Sequence, residues 1–267
     1  MNLDRAAIVL RPRTVAEVVD LAFRLTFSLA APVYLKLSVW VLTPVIAGTL
    51  ALKYALKWDW WAVWIVAILA ANLTQGVFTV AAGRLLFSEE VRVTEVLGGY
   101  FKRFVSYFFT LLITRSLLAL AALMSFFVAL PFAWPPMVFV HEAVLLEGAD
   151  PFSALGRASK FVTGRTWSAF GLLMLLLCGQ IGAIFIAEIL AQSILNDVLQ
   201  LGTPAGSLFK DMISPFAVIG LFASVPFVST ARFLQYIDTR TRSDGWDIQV
   251  RFLAIASKDE NERRLAA

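Results

Sequence analysis

The chain has 267 residues, of which 59% are apolar and only 16% charged, with a mean hydropathy of +0.76. A soluble domain carries about 45–50% apolar and about 25% charged residues, and one of this size has too little interior to hide the excess, whereas in a bilayer lipid covers the outside. The formal net charge of +4 does not point to nucleic acid, because the basic residues fall at the ends of apolar runs rather than in one patch.

The apolar run 6–10 is too short for the core of a cleavable leader, and Arg11 and Arg13 prevent its extension. Thr14-Val15-Ala16-Glu17 is a capping-box pattern. Val15, Val18, Val19, Ala22 and Leu25 come next at helical spacing, with Glu17, Asp20 and Arg24 facing away, which predicts a short helix in the membrane interface.

A spanning helix needs about 20 mainly apolar residues, and six runs qualify: 32–54, 60–86, 105–130, 132–146, 167–195 and 214–236. They do not alternate in polarity as barrel strands do, and in lipid each must pair its own backbone groups, so they are read as helices. Pro131, Pro135 and Pro136 favour a tight turn between the third and fourth. The interfacial pattern recurs at Thr94-Glu95-Val96-Leu97 with Phe101-Lys102. It recurs more loosely from Asp150-Pro151, an N-cap followed by Pro at the first helical position. The expected fold class is therefore all-α: a polytopic membrane helical bundle of about six transmembrane helices. They form three hairpins, each preceded by an amphipathic interfacial helix. Residues 1–240 form one transmembrane domain and 241–267 a cytoplasmic tail.

Lys and Arg accumulate on the cytoplasmic side of short loops. Eighteen of the 23 basic residues fall at one set of ends: four before the first span, Arg84, Arg92, Lys102 and Arg103 between the second and third, Arg157, Lys160 and Arg165 before the fifth, and seven from Arg232 onward. Only Lys53, Lys57 and Lys210 lie at the other. Both termini are expected in the cytoplasm, with the protein in the inner (plasma) membrane. Trp58, Trp60, Trp61 and Trp134 are placed at the outer ends and Trp167 at an inner end, where the indole is half apolar and its N–H finds a partner.

Catalytic chemistry has little to work with. The single histidine, His141, and the single cysteine, Cys178, cannot make a conventional zinc centre. Cys178 reads as a small buried hydrophobe. No serine stands in a nucleophile pattern, and no cofactor is expected. The intramembrane ionisable groups carry more information, because charge at bilayer depth is costly. Arg115 and Glu142 are expected to pair across the third and fourth spans, either as an anion or proton site or as a buried ion pair fixing register. His141, Asn72 and Gln75 complete a candidate polar cluster, and Gln180 is a further polar group within a span. Glu188 is expected near the outer end, in reach of water. The stretch 246–252 fits a short strand or a helix almost equally.

Two further stretches carry a resemblance. Arg11-Pro12-Arg13, leading into Thr14-Val15-Ala16-Glu17-Val18, and Glu147-Gly148, followed by Ala154-Leu155 and Thr163-Gly164-Arg165-Thr166-Trp167, resemble the membrane-domain family associated with glycerophosphoryl diester phosphodiesterases. Tyr236-x-Asp238-x-Arg240-x-Arg242 and Gly245-x-Asp247 are similar to that family's ending. The resemblance covers the membrane part only and implies no esterase activity, since no hydrolase domain accompanies it. The expected function is that of a non-enzymatic scaffold or membrane subunit of an envelope or lipid-related assembly. The alternative is a small transporter or channel with a polar path near Arg115, Glu142 and Asn72. The bilayer is the expected partner, with other membrane proteins or a second copy beside it, and no nucleic acid.

Overall fold

The structure, a computed structural model, describes residues 13–86, 91–201 and 206–244. Arg11, Pro12, Gly245, Asp247 and the stretch 246–252 lie outside them. The described residues form helices joined by short turns and contain no strand.

Helix α1, Val15–Arg24, starts where the capping box predicts: the Glu17 backbone N–H donates to Thr14 Oγ1 at 3.3 Å, and the Glu17 carboxylate accepts from the Thr14 backbone N–H at 2.8 Å. A wider turn at Leu25–Leu29 leads into α2, Ala31–Tyr54. Then come α3, Trp60–Leu85, and α4, Val93–Met124. After a broken segment the chain forms α5, Pro151–Val162, α6, Thr166–Ser193, and α7, Pro215–Asp244. Five of these, α2, α3, α4, α6 and α7, are long and apolar enough to cross a membrane.

The bundle is built around α7, whose apolar window is 83% buried in the protein against 17% for α2 and 22% for α6. Helix α7 packs on α6, α3 and α1. Leu35, Trp40, Leu123 and Ile186 stand exposed on the outer helices; contiguous apolar surface of this kind is untenable in water and natural against acyl chains. Cys178, expected to be buried, is on this exposed side of α6, because the outer face of a membrane bundle is as apolar as its core.

Close helix approach depends on small residues. A Cβ at Gly220 would lie 2.6 Å from the Ala183 carbonyl oxygen and 2.8 Å from Ala187 Cβ, so α6 and α7 touch almost backbone to backbone. Gly76 plays the same part between α3 and α4, where a Cβ would meet the rings of Tyr107 and Tyr100 at 2.7 and 2.8 Å. With that space open, the Tyr107 hydroxyl donates to the Asn72 carbonyl at 2.7 Å and Tyr100 to that of Leu73 at 3.0 Å.

Two expectations need correction. The second interfacial helix is not separate: residues 94–103 are the first turns of α4, which runs 32 residues without a break, since no Gly-Pro or capping signal intervenes before residue 105. Of the three stretches expected to be interfacial helices, α1 and α5 are separate short helices. The expected fourth span, 132–146, is not one helix but four short pieces: Leu130–Ala133, a tight turn at Pro135–Met137, Val140–Glu142 and a wide turn at Ala143–Glu147. Three prolines in six residues remove the N–H groups that a continuous helix needs. Trp134, placed at an outer end by sequence, is half-buried and lines a cavity of the bundle.

Helix α5 packs lengthwise on this broken segment. Its cap is Asp150, whose carboxylate accepts from the Ser153 side chain at 2.5 Å and the Ser153 backbone N–H at 3.1 Å; these bonds hold the Asp150 carboxyl below the usual range. Irregular backbone at membrane depth is tolerated where protein buries it or where it lines a cavity, and this segment does both.

Candidate functional site in the membrane interior

The central part of α3 carries Asn72 and Gln75, which line a cavity together with residues of the broken segment. Opposite them, α4 supplies Arg115, α7 supplies Arg232, and the broken segment supplies Val138, His141 and Glu142. All but Glu142 line one cavity of about 260 Å³, closed on a further side by Leu173, Leu176 and Gln180 of α6. Every member of the expected polar cluster, Arg115, Glu142, His141, Asn72 and Gln75, is therefore at or against this cavity.

The pairing within it differs from expectation. Glu142 is 2% exposed and forms its salt bridge with Arg232, at 3.1 Å to Oε1 and 3.3 Å to Oε2. Arg115 instead donates to Asn72 Oδ1 at 2.5 Å. Register explains the change. Arg103 donates to the Leu145 carbonyl, and the Tyr107 and His141 rings meet edge-on at 5.7 Å, so α4 and the end of the broken segment run antiparallel. That places Glu142 opposite a residue near position 106, about nine residues and roughly 13 Å along α4 from Arg115.

Arg232 is the residue that sequence reasoning misplaces. Its position in the chain groups it with the cations at an inner membrane end, yet it is 8% exposed and serves three partners at once. Its guanidinium reaches Glu142, Gln75 Oε1 at 3.1 Å and the Val138 carbonyl at 2.7 Å, just where the backbone changes from the tight turn to Val140–Glu142. The signal is present in the sequence, since Arg232 lies inside the expected span 214–236.

Three polar atoms here are buried with no partner among the described residues: Arg115 Nε, Arg232 Nε and His141 Nδ1. The site thus carries two guanidinium charges against the single carboxylate of Glu142, with unspent donors next to open volume. Buried donors are seldom left unpaired, and this arrangement is suited to holding an anion or ordered water. Among the described residues no group of His, Cys, Asp and Glu side chains is placed to hold a metal ion.

Glu188 also departs from its expected position in reach of water: it is 0% exposed. Its carboxylate accepts from the Ser214 hydroxyl, from the Leu208 backbone N–H at 2.8 Å and from Gln192 Nε2 at 3.2 Å. Ser214 in turn caps α7 through the Ala217 N–H at 3.0 Å. Glu188 organises the α6–α7 connection.

The described positions that carry the family resemblance meet at the opposite end of α7. Asp238 Oδ1 accepts the Arg13 backbone N–H at 2.5 Å, Arg242 Nε reaches Asp238 Oδ2 at 3.0 Å, and Arg242 Nη2 donates to the Arg13 carbonyl at 2.6 Å. Glu147 accepts from the Tyr236 hydroxyl and pairs with Arg240 and with Arg157, both at 2.9 Å. Gly148 follows with φ +71°, and a Cβ there would stand 3.3 Å from Arg103 Nη2. These motif residues tie the chain's first described turn, the end of the broken segment and the last helix into one basic face. No family model matches this chain, and neither a curated protein sequence nor a solved structure matches it.

Proposed function

We propose that this protein is a small non-enzymatic membrane transporter that takes an anion into the cavity between α3, α4, α6 and α7. The observation that carries this reading is the charge imbalance: Arg115 and Arg232 both line the cavity, and the only carboxylate against them among the described residues, Glu142, is engaged by Arg232. The unpaired donors of both arginines and of His141 support it, as does the broken segment, since discontinuous helices at mid-membrane are the usual material of transport sites. The basic-residue distribution supports an inner-membrane protein with the end that holds Arg13, Glu147 and Arg242 in the cytoplasm.

The test is flux in reconstituted vesicles loaded against chloride, nitrate and inorganic phosphate. Arg115→Gln removes one charged donor from the ligand, a loss of about ten- to hundredfold in uptake of the accepted anion, with the folded protein intact by circular dichroism. Equal uptake by wild type and Arg115→Gln, or none above empty vesicles, removes the transport reading.

A second reading keeps a specific support. The ordered ion clusters around Glu147 and Asp238 fit a face that docks a partner, as a membrane subunit of a lipid-related assembly would, in line with the resemblance to the phosphodiesterase-associated membrane domains. A stoichiometric partner retained through purification in mild detergent would favour it over transport.

A further inference from the structure

A second cavity, of about 480 Å³, lies at the basic face between the end of α3, the first turns of α4, the end of the broken segment and α7. It is separate from the intramembrane site and shares no lining residue with it. Four cations line it: Arg84, Lys102, Arg103 and Arg240. Among the described residues the one acid lining it is Glu147, whose carboxylate is already engaged by Tyr236, Arg240 and Arg157. Arg84 pairs with Glu95 at 3.2 Å, an exposed contact that solvent weakens. Arg103 is held by a backbone carbonyl, that of Leu145, and among the described residues pairs with no carboxylate. Lys102 is exposed and, among the described residues, meets no acid within ion-pair distance.

Two glycines keep this cavity open. A Cβ on Gly99 would crowd Arg84 Nη2 at 3.2 Å, and one on Gly83 would meet Leu146 Cδ2 at 2.8 Å. The remaining wall is apolar, formed by Leu145, Leu146, Phe233 and Ile237. On α4, Phe101 and Val105 flank Lys102 and Arg103 and are 64% and 65% exposed, as residues facing acyl chains are.

A basic pocket between membrane helices, with an apolar wall and lipid-facing side chains beside it, has the chemistry to recognise a phosphate carried on acyl chains. We propose that this cleft binds the phosphate head group of an anionic membrane lipid, with Lys102 and Arg103 as the principal ligands and Arg84 and Arg240 closing around it.

The experiment uses the full chain in a zwitterionic detergent. Short-chain phosphatidylglycerol, phosphatidylcholine of the same chain length and inorganic phosphate are titrated separately, with thermal unfolding and native mass spectrometry as readouts. Saturable stabilisation by phosphatidylglycerol alone is expected. Lys102→Gln, an exposed position whose loss spares the fold, weakens the apparent affinity about fivefold. Arg103→Gln does so at least as strongly, and Lys53→Gln at the far end has no effect. Stabilisation by inorganic phosphate at matching concentration assigns the site to a free anion and overturns the lipid assignment. Equal losses in Lys102→Gln and Lys53→Gln, or no preference over phosphatidylcholine, overturn the site itself. Arg115→Gln leaves this titration unchanged, so failure here is distinguishable from failure of the transport reading.

Discussion

The single side chain on which the membrane interior depends most is Arg232. It answers the Glu142 carboxylate, the Gln75 amide and a carbonyl of irregular backbone with one guanidinium. A buried pair adds little net stability when complete, but removing one partner leaves a charge stranded. Glu142→Gln is expected to destabilise the protein by about 3–5 kcal/mol, read as a fall in the midpoint of unfolding in mixed micelles. The double variant Glu142→Leu with Arg232→Met should recover most of that loss; if it is worse than Glu142→Gln, the pair is not the origin of the effect. The cost of intramembrane charge makes Arg115 and Glu142 legible from sequence as a site. Their partners are not legible, because partner choice follows from register, and register here is set by where the prolines break the return pass of the hairpin.

At the scale of elements, length and hydropathy locate the five long helices to within a few residues, except that α7 runs on to Asp244, α4 ends six residues before the expected 130, and α4 starts at Val93. That start is hidden because an amphipathic stretch that continues in helical phase into an apolar one leaves no mark at the junction. The broken segment is visible in sequence as a segment but reads as a helix, since apolar content cannot report how backbone groups are paired. The α6–α7 contact is invisible for the opposite reason: Gly220, Ala183 and Ala187 look like ordinary membrane composition, and only their meeting across the interface gives them meaning. Gly220→Leu forces those backbones apart and is expected to cost about 1–3 kcal/mol. Gly98→Leu, where a Cβ would meet nothing within 4 Å, should be nearly neutral, and comparable losses at the two positions in unfolding midpoint would refute the close-packing account.

For the molecule as a whole, the bonds from Arg13 to Asp238 and Arg242 fix both ends of the described chain at one face. If all five long helices cross a membrane, five crossings alone would leave the ends on opposite sides, and the broken segment is then expected to supply a sixth. Its 18 residues from Leu130 to Glu147 reach roughly 27 Å at helical rise, close to the thickness of the hydrocarbon core. In a Cys178→Ser background, Ala16→Cys and Ser243→Cys are expected to react with an impermeant maleimide from the same side of sealed vesicles. Asp59→Cys should react only from the other. Labelling of Ala16→Cys and Ser243→Cys from opposite sides would mean that the segment does not cross. An even number of crossings is also what the distribution of basic residues leads one to expect, since those residues respond to the membrane and not to how any one pass is built.

The distance along the chain between Glu142 and Arg232, 90 residues, has a consequence for biosynthesis. At about 5–20 residues per second, the ribosome delivers the counter-charge roughly 5 to 20 seconds after the acid. Until then the proline-broken segment holds a carboxylate without its counter-charge and a Val138 carbonyl without its donor, and is not expected to settle in lipid by itself. A chain truncated before Arg232 should therefore be degraded faster than the full chain.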